Sequence, residues 1–230
     1  MLNTQTSIQT ESGVTAASFI TGVYSWMTLA LLVTGITAFV TAATPSVIET
    51  IFSSRIIFWS ILIAELGLVW YISSRILTLS NGIATLLFLL YSCLNGLTLS
   101  VILLIYTSSS VALTFFVTAG TFGVMSVAGY FTKKDLSNFG SLMIMGLIGI
   151  IFASLANFFM KSETLSYIIT YIGVMVFVGL TAYDTQKIKN MANELESDQV
   201  HKASILGALT LYLDFINLFL FLLRLLGGRK

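Results

Sequence analysis

Charge is what this chain has least of. Asp, Glu, Lys and Arg make up only 9% of its 230 residues, against 57% hydrophobic ones. A soluble domain carries roughly 25% charged residues, so this chain lacks the groups to face water on all sides. It is read as an integral membrane protein. The few charges nearly cancel, at a formal net +1, with no basic patch and no long run of one sign. That excludes nucleic acid as a partner. Cys93 is the only cysteine and His201 the only histidine. There is therefore no internal disulfide and no Cys/His zinc set, and Cys93, in an apolar run, is assigned to packing. Residues 1–18 hold no Lys or Arg, and the first apolar run is of full length. Nothing there resembles a cleaved signal, and the first span is expected to stay in the mature protein.

What is present is a series of long apolar runs. Residues 1–18 are polar, rich in Ser, Thr and Gln, and are expected to be a frayed tail. Seven runs follow at 19–43, 55–77, 82–106, 110–130, 136–160, 164–187 and 203–226, each long enough to cross a bilayer as a helix. The expected organisation is a polar tail, 1–18, and a single seven-helix membrane domain, 19–230. Connections are short, and Pro45, the only proline, lies in the first. The longest, Lys187–Lys202, carries Lys187, Lys189, Glu194, Glu196, Asp198, His201 and Lys202. Loop cations favour a cytoplasmic N-terminus: Lys133, Lys134, Lys187, Lys189 and Lys202 would lie inside, and only Arg55 and Lys161 in outer loops. Gly149-xxx-Ala153 and Ala119-xxx-Gly123 place small residues one turn apart, as at helix contacts. Gly96-Leu-Thr98 and Gly179-Leu-Thr181 hint at an inverted repeat of spans three and six.

Two acids sit inside these runs. Asp184 lies in Gly179-Leu-Thr-Ala-Tyr-Asp-Thr-Gln186 and Asp214 in Leu211-Tyr-Leu-Asp-Phe-Ile-Asn217. A carboxylate in hydrocarbon costs several kcal/mol unless paired, hydrated or protonated, so each marks a functional site. At 100° per residue, Gly207, Thr210, Asp214, Asn217 and Arg224 share one face of span seven. Thr170, Gly173, Thr181 and Asp184 share a stripe on span six, and Thr85, Ser92, Asn95 and Gly96 contribute from span three. On span two, Glu65 and Arg75 lie within about 80° of each other. Four polar stripes pack most economically when all turn inward. With the boundaries above, Arg75 and Asp184 sit at similar depth near helix ends. Asp214 lies about 16 Å in, close to the depth of Glu65. Arg75 is then the counter-ion of Asp184. If span seven begins later, the two aspartates touch, share a proton and titrate as a coupled pair. Losing that proton draws in water, Arg75 or a hard cation such as calcium, which takes oxygen ligands. Arg224, near its helix end, snorkels to the interface.

These segments resemble a known family. Gly179–Gln186, and Leu211–Leu220 continuing through Leu223-Arg-Leu-Leu-Gly227, are similar to the Bax inhibitor-1 (transmembrane Bax-inhibitor-motif) family. Gly129-Tyr-Phe-Thr-Lys-Lys-Asp-Leu136 and Asn95-Gly-Leu-Thr-Leu-Ser100 are similar to it as well. The likeness covers about 200 residues, nearly everything after the tail. It implies an all-α bundle of seven transmembrane helices with the seventh central. The implied activity is a pH-sensitive calcium leak gated by two aspartates, which map onto Asp184 and Asp214. Arg75 would engage those aspartates, with Glu65 as the acid of the same helix. Asn95, Thr181, Thr210 and Asn217 would line the polar path. Short length and a minimal tail match bacterial members, which implies the bacterial plasma membrane. The longer, more charged loop between spans six and seven departs from the pattern and bears on gating.

Other classes fit less well. An intramembrane aspartyl protease needs Gly-x-Gly-Asp, whereas Leu211, Tyr212 and Leu213 precede Asp214. A rhomboid-like protease needs a His within a span, and a retinal protein a Lys in the last one. A proton-coupled transporter fits the buried acids but lacks paired broken helices. A regulator that binds other membrane proteins needs no pore and stays open as an alternative. The expectation is a non-enzymatic leak whose partners are the bilayer, protons and calcium, the last as transported ion rather than cofactor, with Asp184 and Asp214 as its ligands.

Overall fold

A computed structural model describes residues 2–193, 195–196 and 198–230, with residues 2–17 described by backbone alone. Glu194 of the charged loop lies outside the described residues. The described residues form eight α-helices: α1 (Leu2–Ala42), α2 (Pro45–Ser53), α3 (Arg55–Arg75), α4 (Asn81–Ile105), α5 (Ser108–Phe131), α6 (Ser137–Met160), α7 (Glu163–Met191) and α8 (Val200–Leu226). A 3-10 turn, Ile76–Thr78, extends α3. Seven stretches are long and apolar enough to cross a membrane: Ser18–Ala42, Arg55–Thr78, Asn81–Ile105, Ser108–Phe131, Ser137–Met160, Glu163–Met191 and Val200–Leu226. The expected runs match them within four residues at every boundary. Large apolar side chains such as Leu66, Trp70, Phe116 and Phe158 are exposed, as suits contact with hydrocarbon rather than water. The chain is an all-α integral membrane protein.

Three differences from the expected layout have local causes. The backbone of the polar segment is helical and continues α1, where a frayed tail was expected; no proline precedes Pro45 to break it. The first connection is not bare loop but holds α2, with Pro45 in its first turn, where a missing N–H costs nothing. The longest connection shrinks to residues 192–199, because α7 and α8 extend into it. Lys187 and Lys189 therefore ride on α7, and His201 and Lys202 on α8.

The chain packs as two compact units. The first holds residues up to Ile105 with Lys189–Tyr212, the second Tyr106–Ile188 with Leu213–Lys230. Helix α8 gives its first half to one and its second half to the other. It is the most buried span, with 67% of its window inside the protein against 50% or less for the rest, as a central helix requires.

In the first unit α4 packs on α1 and α3. At Gly96 an added Cβ would lie 2.7 Å from the Thr34 carbonyl oxygen, so α4 meets the backbone of α1 there. Between helices in lipid, close approach of this kind replaces the hydrophobic effect as the source of cohesion. In the second unit Ile150, Ile169, Val176, Phe177, Leu180, Leu218 and Leu222 form the apolar core. Gly129 on α5 touches the Ala182 carbonyl of α7 so closely that no Cβ fits. The small pairs singled out in the sequence do not mark such contacts, since Gly149 and Gly123 have open space where a Cβ would go. Gly96 and Gly179 of the repeat hint are both contact points, Gly179 lying against Met143.

Candidate functional site

Asp184 and Asp214 meet. Their carboxyl groups are hydrogen-bond partners within the second unit, one from α7 and one from α8. Asp214 is 5% exposed, and its Oδ2 finds no donor among the described residues. The group beside it is another carboxyl, which donates only when protonated. The contact is therefore a hydrogen bond when the pair holds one proton and a repulsion when it holds none. The different depths expected from the sequence are corrected here. Residue counting assumed that span six ends at 187 and span seven starts at 203 in one plane. Helix α7 runs to Met191 and α8 starts at Val200, which leaves the two counts almost as far apart, so the contact means that the two helix ends do not share a plane.

Other groups hold the pair in place. Lys187, one turn beyond Asp184 on α7, is the charge that acts on it. Gly129 against Ala182 fixes α7 two residues from Asp184. Gln186, two residues on the other side, ties α7 to the loop before α6. Its Oε1 accepts the Leu136 N–H at 2.8 Å, and its Nε2 donates to the Lys134 carbonyl at 2.8 Å. In that loop Asp135 Oδ1 accepts from the Ser137 N–H at 2.9 Å and its hydroxyl at 2.7 Å. Those bonds hold the exposed Asp135 carboxyl below its ordinary value. Sequence reading missed Gln186, although it ends the motif that contains Asp184.

The proposed lining residues satisfy themselves. Thr181 donates to the Phe177 carbonyl at 2.7 Å, Thr210 to Leu206 at 3.1 Å and Asn217 to Leu213 at 2.8 Å, each four residues back on its own helix. The hydroxyl hydrogens of the two threonines and one amide hydrogen of Asn217 are spent there, and the side-chain oxygens remain as acceptors. A further stripe was missed on α5. Thr114, Thr118 and Ser126 are buried, and Thr114 Oγ1 and Ser126 Oγ lack partners among the described residues. Their four- and eight-residue spacing was the available signal.

Glu65, Arg75 and Asn95 lie in the first unit, as does Thr210. Glu65 is buried, 8% exposed, and accepts from the Thr98 hydroxyl at 3.0 Å and from Asn95. Arg75 ends α3 and is exposed. Ten residues separate it from Glu65, about 15 Å along the helix axis. Asn95 Oδ1 accepts from the Tyr212 hydroxyl at 3.0 Å. Tyr212 was also missed: an aromatic in an apolar run reads as bulk, yet it is fully buried and hydrogen-bonded. Arg224 is exposed over the Phe221 ring, as expected.

Among the described residues no three His, Cys, Asp or Glu side chains gather where they could hold a metal ion. A resident calcium takes six to eight oxygens.

Comparison with known proteins agrees with the fold and the motifs. A protein-family model described as "Inhibitor of apoptosis-promoting Bax1" matches residues 16–230. "Inner membrane protein YbhL" of Escherichia coli (strain K12) is 54% identical over 93% of this chain and 92% of its own length. An uncharacterized protein of Borreliella burgdorferi is 46% identical over 92% of each chain. An uncharacterized membrane protein of Streptococcus pyogenes serotype M1 is 36% identical over 96% of each. A model matched from residue 16 to the last residue, and relatives aligned over nine-tenths of their length, leave one assignment: this chain belongs to the Bax inhibitor-1 family.

Proposed function

We propose that the protein is a pH-sensitive calcium leak in the bacterial inner membrane, gated by the Asp184–Asp214 pair, with its N-terminus in the cytoplasm. The observation that carries this reading is the carboxyl–carboxyl hydrogen bond inside two transmembrane helices. While the pair shares a proton, α7 and α8 are joined there and the pair carries one negative charge rather than two. When the proton leaves, two anions in contact repel. They part, or they take a cation between them. Unpartnered Thr114, Ser126 and Asp214 oxygens, with the acceptor faces of Thr181 and Asn217, offer a cation the hard ligands it prefers. Glu65 and Arg75 modulate from the first unit. Family membership supports the reading, as does the inner-membrane name of a relative 54% identical.

The test is calcium flux into proteoliposomes from mildly acidic to mildly basic pH, for the parent, Asp184→Asn and Asp214→Asn. Flux through the parent should rise as the pair loses its proton. Each Asn keeps a permanent N–H donor in the pair, so both variants should stay low and flat across pH. If both keep the parent's flux and pH response, the gate is elsewhere. If the parent passes no calcium above empty vesicles, the leak itself is wrong.

A further inference from the structure

A second buried acid, outside the aspartate pair, heads a hydrogen-bonded chain across four helices of the first unit. Glu65 on α3 touches the Thr98 hydroxyl at 3.0 Å and the Asn95 side chain, both on α4. Asn95 touches the Tyr212 hydroxyl of α8 at 3.0 Å. Tyr212 touches the Thr34 hydroxyl of α1 at 2.7 Å, and Thr34 reaches the Ser92 carbonyl at 2.9 Å. All of these groups are buried or half-buried.

The hydrogens in this chain can be counted. From Glu65 to Ser92 four contacts run, Glu65–Asn95, Asn95–Tyr212, Tyr212–Thr34 and Thr34–Ser92. The Thr98 hydroxyl lies 3.0 Å from both Glu65 and the Asn95 backbone carbonyl, and its hydrogen stays with those two. Tyr212 and Thr34 each bring one hydroxyl hydrogen to the four. The Asn95 amide offers hydrogen on one side only, with oxygen on the other. If its nitrogen faces Glu65, then Tyr212 donates to Asn95, Thr34 donates to Ser92, and nothing is left between Tyr212 and Thr34. Two hydroxyl oxygens would then stand 2.7 Å apart with no hydrogen between them. If the amide is turned over, every contact from Asn95 to Ser92 is filled. Its oxygen then faces the Glu65 carboxyl, again with no hydrogen. Side-chain amide orientation is assigned from such networks rather than observed, so both arrangements are open. With Glu65 ionised, either one is a single hydrogen short.

We propose that Glu65 is a proton-binding site, and that its carboxylic acid donates to Asn95 Oδ1 and so completes the chain to Tyr212, Thr34 and Ser92. Glu65 is the only acid in the chain, so the missing hydrogen belongs on it. The titratable groups that face it are the phenols of Tyr91 on α4 and Tyr212 on α8, both neutral at neutral pH. Helix α1 faces the chain with Thr34, which does not titrate. When the proton leaves Glu65, the amide turns its nitrogen toward the carboxylate, and the Tyr212–Thr34 contact between α8 and α1 loses its hydrogen. The proton on α3 is thus read out at a helix pair it does not touch. This inference does not rest on the calcium reading.

Infrared spectroscopy of the purified full chain at neutral pH tests it. A carboxylic-acid carbonyl band should be present in the parent and lost in Glu65→Gln. Labelling glutamate with carbon-13 should shift the same band without any substitution, which keeps the test alive if that variant does not fold. Tyr212→Phe separates the chain from burial alone. It removes one hydrogen and two contacts, so the two contacts that remain, Glu65–Asn95 and Thr34–Ser92, are filled with Glu65 ionised. The band should then weaken or vanish. No glutamate band in the parent would overturn the proposal. So would a band that survives unchanged in Tyr212→Phe, because the chain would then not be what holds the proton.

Discussion

Gln186 and Leu136 are joined at 2.8 Å across fifty residues of chain, side-chain oxygen to backbone N–H. The same amide binds the Lys134 carbonyl, so one side chain serves a donor and an acceptor of a loop that has no regular structure. Gln186→Leu strips both partners and should cost about 1–3 kcal/mol, since part-buried backbone groups are left unpaired. Gln186→Glu keeps the acceptor and loses the donor, so it should fall between Leu and parent. Thermal denaturation in detergent gives the ranking, and faster hydrogen exchange at the Leu136 amide localises it.

Close backbone contact at Gly129 and open space at Gly149 predict opposite outcomes for one substitution. Gly129→Ala drives a methyl into the Ala182 carbonyl and should destabilise by about 1–3 kcal/mol. Gly149→Ala meets nothing and should stabilise its helix by up to about 1 kcal/mol. Equal shifts in Tm for the two would contradict the packing described.

Lys161 ends α6 with φ 52° and ψ 34°, the left-handed region in which a side chain is strained. Glycine removes that penalty, so Lys161→Gly should raise stability by about 1 kcal/mol. A fall in Tm would mean that the lysine side chain contributes more than its backbone costs.

Asp135 gives a pH signature confined to one helix end. Its folded carboxyl is held below the unfolded value by the Ser137 hydroxyl and amide. The stabilisation is thus present above the unfolded value and lost as pH falls through the folded one. Acidification should accordingly speed exchange at the Ser137 amide in the parent. In Asp135→Asn that acid-side change should be absent. The group is fully exposed, and the effect on global Tm should be slight.

How much was legible follows from what each residue must do. The seven spans were visible because a bilayer demands length and apolarity together, and no other element has both. Helix α2 was not, being nine residues long and built around Pro45, which reads as a break. Asp184 and Asp214 stood out because charge in hydrocarbon is costly. Their contact did not, because residue counts along two helices compare depths only if the helix ends share a plane, and nothing in a sequence says whether they do. Glu65 was found as a buried acid, but its partners Thr98 and Asn95 were not, because a wheel gives the face a residue takes and not what meets it there. Tyr212 and Gln186 act through one polar atom on a bulky or flexible frame, and a hydropathy pattern averages that atom away.

Self-bonded hydroxyls have a consequence for how such a chain is made. Thr118, Thr170, Thr181, Thr185, Ser204 and Thr210 each carry their acceptor four residues back on the same helix. A span bearing only these can enter the lipid alone, as a finished object. Glu65, Asn95, Asp184 and Asp214 cannot, since their partners sit on other helices. During synthesis α3 emerges with Glu65 before α4 supplies Thr98, and α7 emerges with Asp184 before α8 supplies Asp214. Those two intervals are when the nascent chain has an unmet acid in the membrane, and they are where its assembly has to wait.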